Sequence, residues 1–486
     1  MKKRIAIALL CLMLTCALTA CGFADFEVGG LVGELLGKLD LPGVDVDPFY
    51  PIPPVEQPPE QDFPVTMGPG EELYGFPDSL DLKTDVLILE LLQNEPSSDT
   101  YEPLIIDESV LARDQQFMDL YGYAVNHKYT PTTTDIFEIA LSETTAGTGT
   151  LILCYTPVSC IADIAMTGAF HSTGTLAGFE MDNGCWFDAL NEDLKINGKQ
   201  YVFAGYLTPY AQFELDCLVY NNEKMREMGF DLTQTVYGNA WTMELFYELC
   251  TQVKTDLNGD GTWSDDDFWG AMYDEFGCAD TLFYGSGVDM FADESTSEQT
   301  YRTCVELAQL LEKYRNVTRE SAVAEQLFMK GKSLFYATEL DHFSGLDGSG
   351  AIITRSEFEV CVAPVPMYDK ELGYHSTFDD GTVLSIPRSA QGDAGMALNV
   401  LSVLAANHTT PAIDTLISKV NPNEDSVNMC YTVMNAAHCN MNAIIVQWQG
   451  YGINPLQTDC EYYMMNDLPE LKKLLSDYFG IVESGK

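Results

Sequence analysis

Past residue 80, apolar and polar positions fall into two alternating periods. The runs "TDVLILELL" (84–92), "LYGYAVNHKY" (120–129) and "GTLILCYT" (149–156) are rich in leucine, β-branched and aromatic residues, and they predict strands; the first also fits a helix. Between them, "DIFEIALSETTAG" (Asp135 to Gly147) repeats its apolar residues at helical spacing and stops at glycine. In "WTMELFYELCTQVK", Leu245, Phe246, Leu249 and Val253 share a face behind Thr242, a natural N-cap. "TYRTCVELAQLLEKY" (Thr300 to Tyr314) follows the same rule, and "DLPELKKLLSDYFG" sets Pro469 near a helix start and Gly480 past its end. Strand and helix alternating over this length predict an α/β fold with mainly parallel sheets.

The N-terminal end has a different pattern. Lys2, Lys3 and Arg4 precede an apolar run from Ile5 to Ala17, the charged and hydrophobic regions of a secretory signal. That run is too short for a spanning helix with ordinary flanks. Its ending, "LTAC" followed by Gly22, resembles the lipobox of bacterial lipoproteins, which implies cleavage after residue 20 and lipid chains on Cys21. Two acyl chains anchor stably where one does not, so the expected location is the outer face of the cell membrane, held through lipid. Residues 21–69 then carry Pro42, Pro48, Pro51, Pro53, Pro54, Pro58, Pro59, Pro64 and Pro69 in an acidic background. Such a stretch cannot bury a core and favours extended polyproline geometry, so it reads as a tether.

The remaining length, about four hundred residues, exceeds what one core usually covers, and two lobes are expected. The first is assigned residues 70–215 with 376–406 returning to it, and the second 216–375 with 407–486 completing it. Charge narrows the function further. With 25 basic and 73 acidic residues the net charge is −48, and it becomes −51 when Lys2, Lys3 and Arg4 leave with the signal. This surface repels phosphate backbones and anionic headgroups, so nucleic-acid binding is excluded and membrane attachment must come from lipid alone. Of fourteen cysteines, three lie in the signal and lipobox; the other eleven are scattered, which argues against a disulfide scaffold.

One stretch has metal-loop spacing. In "DLNGDGTWSDDD", Asp256, Asn258 and Asp260 supply side-chain oxygens, Gly261 permits the turn, Thr262 offers a carbonyl and Asp267 closes. A helix enters this loop but "DFWGAMYD" leaves it as a strand, so the expected role is a structural Ca2+ staple rather than a sensor.

The segment "INGKQYVFAGYLTPYAQFELDCLVYNNEKMREMGFD" (Ile196 to Asp231) resembles family 1 extracellular solute-binding proteins, where a turn leads into a crossover strand and then a helix. The likeness continues through "WTMELFYELC", "QLFMKGKSLFYATELD", "VCVAPVPMYDKELGYHS" and "VLSIPRSA", in family order. Two departures stand out: Phe187 sits where a second tryptophan is common, and Tyr206 and Leu207 sit where an acidic residue usually follows the glycine. The resemblance implies a two-lobe, periplasmic-binding-protein-like (Venus flytrap) fold with crossover hinge strands. It also implies a receptor that passes a small polar solute, a sugar or oligosaccharide, to the permease subunits of an ABC importer. Ligand contacts are expected from Trp186, Tyr206, Tyr284 and Trp448 as aromatic platforms, and from Glu339, Asp341 and Asp379 as acceptors for hydroxyl groups. Trp241, Trp263 and Trp269 flank the helical run "WTMELFYELCTQVK" and the acidic loop and read as structural.

No HExxH, GxSxG or HxH pattern occurs, and "MKGKS" (Met329 to Ser333) lacks the upstream glycine of a phosphate loop. Two rival readings share the composition: a surface glycosidase using two of the many carboxylates, and a wall-binding lipoprotein without a small ligand.

Overall fold

The structure is a computed structural model, and it describes residues 76–91, 105–274, 277–289, 291, 297–344, 352–420, 424–449 and 468–484. The signal, Cys21 and the tether at 21–69 lie outside the described residues.

The first three apolar runs are strands: β1 (Val86–Leu91), β2 (Val125–Thr130) and β3 (Ile152–Pro157). β1 pairs in parallel with both β2 and β3, the connections being helices Ile105–Tyr121 and Thr133–Ala146. The second helix begins at a capping box in which Thr132 and Asp135 each satisfy the other's backbone N–H, and it ends at Gly147 with φ of 63°. A short hairpin, β4 (Lys195–Ile196) with β5 (Lys199–Gln200), precedes the first crossing.

The chain then builds a second sheet from β6 (Asp216–Asn221), β7 (Trp269–Tyr273), β8 (Thr318–Glu320), β9 (Ser333–Glu339) and β10 (Val360–Ala363), in the order β10-β6-β9-β7-β8. It returns through β11 (Ser376–Thr377) and β12 (Thr382–Ser385), and β12 joins the first sheet at its edge, giving β12-β3-β1-β2. β13 (Ala437–His438) pairs in parallel with β11. Both sheets are mixed: four of their seven strand pairings are parallel, while β12 is antiparallel to β3, and β6 is antiparallel to both β9 and β10. Each crossing reverses the chain's direction as it enters the other sheet.

Apolar burial follows this plan. β3 and β6 are almost wholly buried, as expected of strands covered on both faces. One apolar cluster runs from Ile152 and Leu89 in the first sheet, through Val202, Ala204, Phe213 and Leu215 in the crossing, to Val219, Phe335 and Val362 in the second. Trp241, fully buried, donates its indole N–H to the Pro364 carbonyl at 2.8 Å and packs on Phe246 and Phe335. A second cluster joins Ile88, Leu153 and Leu384 to helix Ala394–Val420 through Leu398, Leu401 and Leu404.

At the C-terminal end, helix Glu424–Asn435 packs on β10 of the second sheet. Helices Met441–Trp448 and Leu468–Ser484 pack on each other and on helix Ile161–Thr167, which follows β3. So of the stretch expected to complete the second lobe, its last two helices rest against first-lobe elements. Helix Leu468–Ser484 also continues through Gly480, where an end was expected. Nine described cysteines, Cys154 and Cys439 among them, are free thiols, and eight of the nine are buried. Among the described residues no helix is long and apolar enough to cross a membrane.

Candidate functional site

Where the two crossings pass, a cavity of about 160 Å3 opens between the sheets. Its first-sheet wall is the ends of β1 and β3, at Leu91 and at Tyr155, Thr156 and Pro157, with Thr382 at the start of β12. The opposite wall is Glu214, just before β6, with Glu339 at the end of β9 and Asp341 beyond it. Thr377, Asp379, Asp380 and Gly381 of the return crossing close the third side. Ligands of open α/β sheets gather at strand ends where the chain changes direction, and this cavity has that position.

Backbone bonds fix the acidic groups. The Leu340 amide donates to the Leu215 carbonyl and the Asp341 amide to the Phe213 carbonyl, at 3.0 and 2.9 Å, zipping the end of β9 to the first crossing. On the other crossing, the turn "FDDG" folds around the buried Phe378 ring. A Cβ at Gly381 would lie 1.8 Å from that ring, so glycine alone fits, and the Gly381 carbonyl accepts the Val158 amide at 2.8 Å. Asp379 and Asp380 are thereby held at the tip, exposed to the water of the cleft.

Glu214 bridges the crossings, its Oε2 accepting the Thr382 amide at 2.8 Å and its Oε1 the Thr382 hydroxyl at 3.1 Å. Burial raises the Glu214 carboxyl to about 7, against the pull of those two hydrogen bonds and with the charges of Asp341 and Asp380 adding to it. Burial likewise raises Glu339 to about 7, reinforced by the charges of Asp341, Asp379 and Glu214 and opposed by His342. Partial desolvation against the cleft wall raises Asp379, with the charge of Asp380 adding to it, and raises Asp380 too. The acidic groups therefore share one field. Two hydroxyls complete the lining: Thr156 Oγ1 and Thr377 Oγ1 are buried, at 1% and 5% residue exposure, and find no hydrogen-bond partner in the protein.

Behind this wall lies a paired ionic cluster. His127 on β2 contacts Glu90 through Nδ1 at 2.5 Å and Asp114 through Nε2 at 2.8 Å, and the buried Arg113 guanidinium lies 2.7 Å from Asp114. Burial lowers the His127 imidazole, but its hydrogen bonds to Asp114 and Glu90 and their charges outweigh this and raise it to about 9.

The structure thus brings together Glu339, Asp341 and Asp379 among the residues expected at the site. The four aromatic residues lie elsewhere. Trp186, at 4% exposure, bridges to Gly205 and packs edge-on against Phe179 and Phe203, its indole N–H without a partner in the protein. Tyr206 is buried against Phe187, Tyr284 ends helix Gly277–Tyr284 half-buried, and Trp448 packs on Tyr478 at the C-terminal helices. Asp380, next to Asp379 in "STFDDGTVL", lies on the same wall, whereas sequence reasoning missed Glu214. Glu214 had a signal, since "AQFELDCLVY" sets an acid between the apolar Phe213 and Leu215 of the crossing.

The acidic loop turns its side chains onto its own amides. Asp256 accepts from Gly259 and Gly261, Asn258 from Asp260, Asp260 from Thr262, and Asp267 from Leu257 and Ser264. The Ser264 and Leu257 bonds hold the buried Asp267 below its ordinary value. Lys254 sits over the rings of Trp263 and Trp269, at 3.7 and 4.4 Å. Among the described residues no three His, Cys, Asp or Glu side chains gather in a metal-holding group. A wider hollow of about 410 Å3 lies away from both crossings, beside Asp274 and the Glu325–Arg355 ion pair.

Comparison with known proteins bears on this geometry. Among solved structures, the GacH receptor of Streptomyces glaucescens GLA.O, known unliganded and in complex with acarbose, is similar at 15% identity over 82% of this chain and 100% of that one, with a TM-score of 0.50. A sugar transporter from Rhizobium etli in an open conformation has 12% identity, coverage of 83% and 98%, and a TM-score of 0.49. A cyclo/maltodextrin-binding protein complexed with maltotetraose has 15% identity, coverage of 82% and 98%, and a TM-score of 0.48. The first of these carries the fold assignment, a two-lobe α/β binding-protein architecture. No curated protein shows significant sequence similarity to the chain. The family model described as bacterial extracellular solute-binding protein matches residues 112–418, well over half of the chain. That span holds both crossings and every lining residue of the cleft except Leu91. With the whole second sheet, both crossings and all of the cleft lining but Leu91 inside the match, the chain belongs to the bacterial extracellular solute-binding proteins.

Proposed function

We propose that this protein captures a carbohydrate in the cleft between its sheets and delivers it to the permease subunits of an ABC importer, while lipid on Cys21 holds it at the outer face of the membrane. The observation that carries the reading is the cleft lining: carboxylates that accept hydroxyl hydrogen bonds stand beside Thr156 and Thr377, two buried hydroxyls still lacking partners. The GacH receptor, similar in fold, was solved with acarbose. A cavity of about 160 Å3 is small beside ligand pockets of roughly 300–1,000 Å3. It suits one compact sugar unit per site, with any longer chain running out between the lobes.

The lining suits binding better than hydrolysis. A glycosidase needs two carboxyls driven apart, one kept protonated and one ionised. Here Glu214 and Glu339 are both raised to about 7 by the same cause, burial. A thermal-shift screen of mono- and oligosaccharides tests the proposal, since ligand at a hundred times its Kd adds about 2.7 kcal/mol. The expected result is a saturable rise with one sugar class and no turnover. Release of product in the same mixtures, or binding to insoluble polymer only, would replace the receptor reading with one of its rivals.

A further inference from the structure

We infer that His375 and His438 form an acid-sensitive latch on the return crossing: the stacked neutral rings hold one wall of the cleft, and protonation of both rings releases it. The inference goes beyond the carbohydrate reading and holds for any solute the cleft takes.

The two imidazoles lie face to face, with 4.0 Å between centroids and 27° between planes. They belong to segments far apart in the chain. His375 directly precedes β11 of the return crossing, and His438 ends β13. The strands are joined by the Ser376 amide on the Ala436 carbonyl at 2.7 Å and the Phe378 amide on the His438 carbonyl at 2.8 Å. Thr377, Asp379, Asp380 and Gly381, the third side of the cavity, follow His375 directly along the chain. What happens to the ring pair is therefore passed to that wall through two backbone bonds.

Each ring has one nitrogen engaged and one left to take a proton. The Leu372 carbonyl can only accept, so His375 carries hydrogen on Nε2 across a 3.0 Å contact and keeps its lone pair on Nδ1. Asp193 Oδ2 accepts the Cys439 amide at 3.0 Å and the His438 Nδ1 hydrogen at 2.8 Å, which leaves the His438 lone pair on Nε2. A proton on His438 is balanced by Asp193 in direct contact. A proton on His375 meets a neutral carbonyl at Nε2 and a second cation across the stack. Burial and the charge of His438 hold His375 below its ordinary value, against the pull of the Leu372 carbonyl and Asp193.

The ring has little room to turn away. Gly287, at φ of 74°, closes on its Nε2 edge, where an added Cβ would lie 2.6 Å from that nitrogen. The charged groups around the pair are Asp193 at the end of helix Asp188–Asp193, Asp289 beyond Gly287, and Lys472 of the last helix, which acts on Asp289. Cys439, next to His438, is a buried thiol pushed well above its ordinary value and stays neutral. Lys370 and Glu371, on the loop that leads to His375, are exposed. With Gly287 at one edge and a cation across the stack, relief comes from parting β11 and β13.

The test is hydrogen–deuterium exchange of the mature full chain, without added solute, at pH 7.5 and pH 5, with rates corrected for the intrinsic chemistry of amides. Exchange is read at the Ser376 and Phe378 amides, with the Leu384 amide of β12, bonded to the Phe203 carbonyl at 2.8 Å, as control. Glu214 and Glu339 give global melting the opposite pH dependence, so the readout is local. Acid should speed exchange at Ser376 and Phe378 on the order of tenfold and leave Leu384 no faster. His375→Phe keeps a ring in the stack without its titration, and His375→Gln avoids a larger ring beside Gly287; either should remove the acid effect. Exchange at the two amides that ignores pH, equal quickening at Leu384, or an acid effect that survives in a folded His375 variant overturns the latch.

Discussion

Both oxygens of the Glu214 carboxylate are held by Thr382, a residue 168 positions later in the chain: the amide reaches Oε2 at 2.8 Å and the hydroxyl reaches Oε1 at 3.1 Å. Glu214 leads into β6 of the second sheet and Thr382 begins β12 of the first, so this pair ties the outgoing crossing to the returning one. Thr382→Val deletes the hydroxyl bond and keeps the amide. At pH 8, where Glu214 is ionised, it should cost about 1.5–3 kcal/mol, the range for hydrogen bonds to charged groups. Denaturant titration checks this, and an unmoved midpoint would show that the crossings are held by their apolar packing alone.

Trp186 gives a second test. It was expected on the ligand and lies buried with Phe179 and Phe203, its Cε3 2.8 Å from where a Cβ on Gly205 would be. Trp186→Ala should therefore cost about 3–5 kcal/mol of stability. Gly205→Ala should also destabilise, because the Cys185 carbonyl would sit 2.5 Å from the new methyl. A Trp186→Ala protein with normal melting and lost sugar binding would return Trp186 to the site.

The pH dependence of stability follows from two raised groups. Glu214 and Glu339 have folded values of about 7 against an ordinary 4.5, so the folded protein holds more protons than the unfolded chain between those limits. Stability must fall as pH rises through that window. His127 is raised from 6.5 to about 9; its contribution is fully present below 6.5 and is lost as pH rises through 9. Melting temperature should decline from pH 5 to pH 9 in the absence of ligand. Glu339→Gln should flatten the acidic part of the decline, and His127→Gln the alkaline part. A curve rising with pH between 5 and 7 would contradict the burial of the two glutamates.

The acidic loop was expected to hold Ca2+, and Asp256, Asn258, Asp260 and Asp267 already accept from the loop's own amides. Those bonds hold the carboxylates in one turn and leave lone pairs for a cation, so the melting temperature should be higher in calcium than in a chelator. Asp256→Ala with Asp260→Ala should remove that difference, and identical melting of the unaltered protein with and without chelator would leave the loop without a cation.

Anchoring is tested at Cys21, which lies outside the described residues. Cys21→Ala should move the processed protein from the membrane fraction to the medium or periplasm, with its melting temperature unchanged. Retention on the membrane after signal cleavage would exclude the lipobox.

The legible parts of the fold were those governed by nearby residues. Thr242 caps its helix as its position implied, accepting the Leu245 amide, and the runs at 84–92, 120–129 and 149–156 are β1, β2 and β3. Strand direction was not legible. Whether β6 lies parallel or antiparallel to β9 depends on which end of the sheet the crossing enters, and no local period encodes that. The site divides the same way. Glu339, Asp341 and Asp379, which line the cavity, could be singled out because residues at a strand end or in a tight turn have few structural reasons to be acidic. The aromatic choices failed to reach the cleft because large rings chiefly fill cores, and Trp186 and Tyr206 are core residues here. Thr156 gave no signal, because a threonine in "LCYTP" looks like any other strand residue until its hydroxyl is seen without a partner.

The apolar cluster that passes from Ile152 through Phe213 and Leu215 to Phe335 makes the crossing a part of the core rather than a cord between two cores. The first sheet keeps a separate cluster with helix Ala394–Val420, and its other apolar residues share one interior with the second sheet. Separating the sheets exposes residues on which both depend, so the free energies of the two halves are coupled. The bending that admits a solute is confined to motions that keep this seam dry, and the amplitude of the hinge is set by how far the sheets can rock before water reaches Phe213.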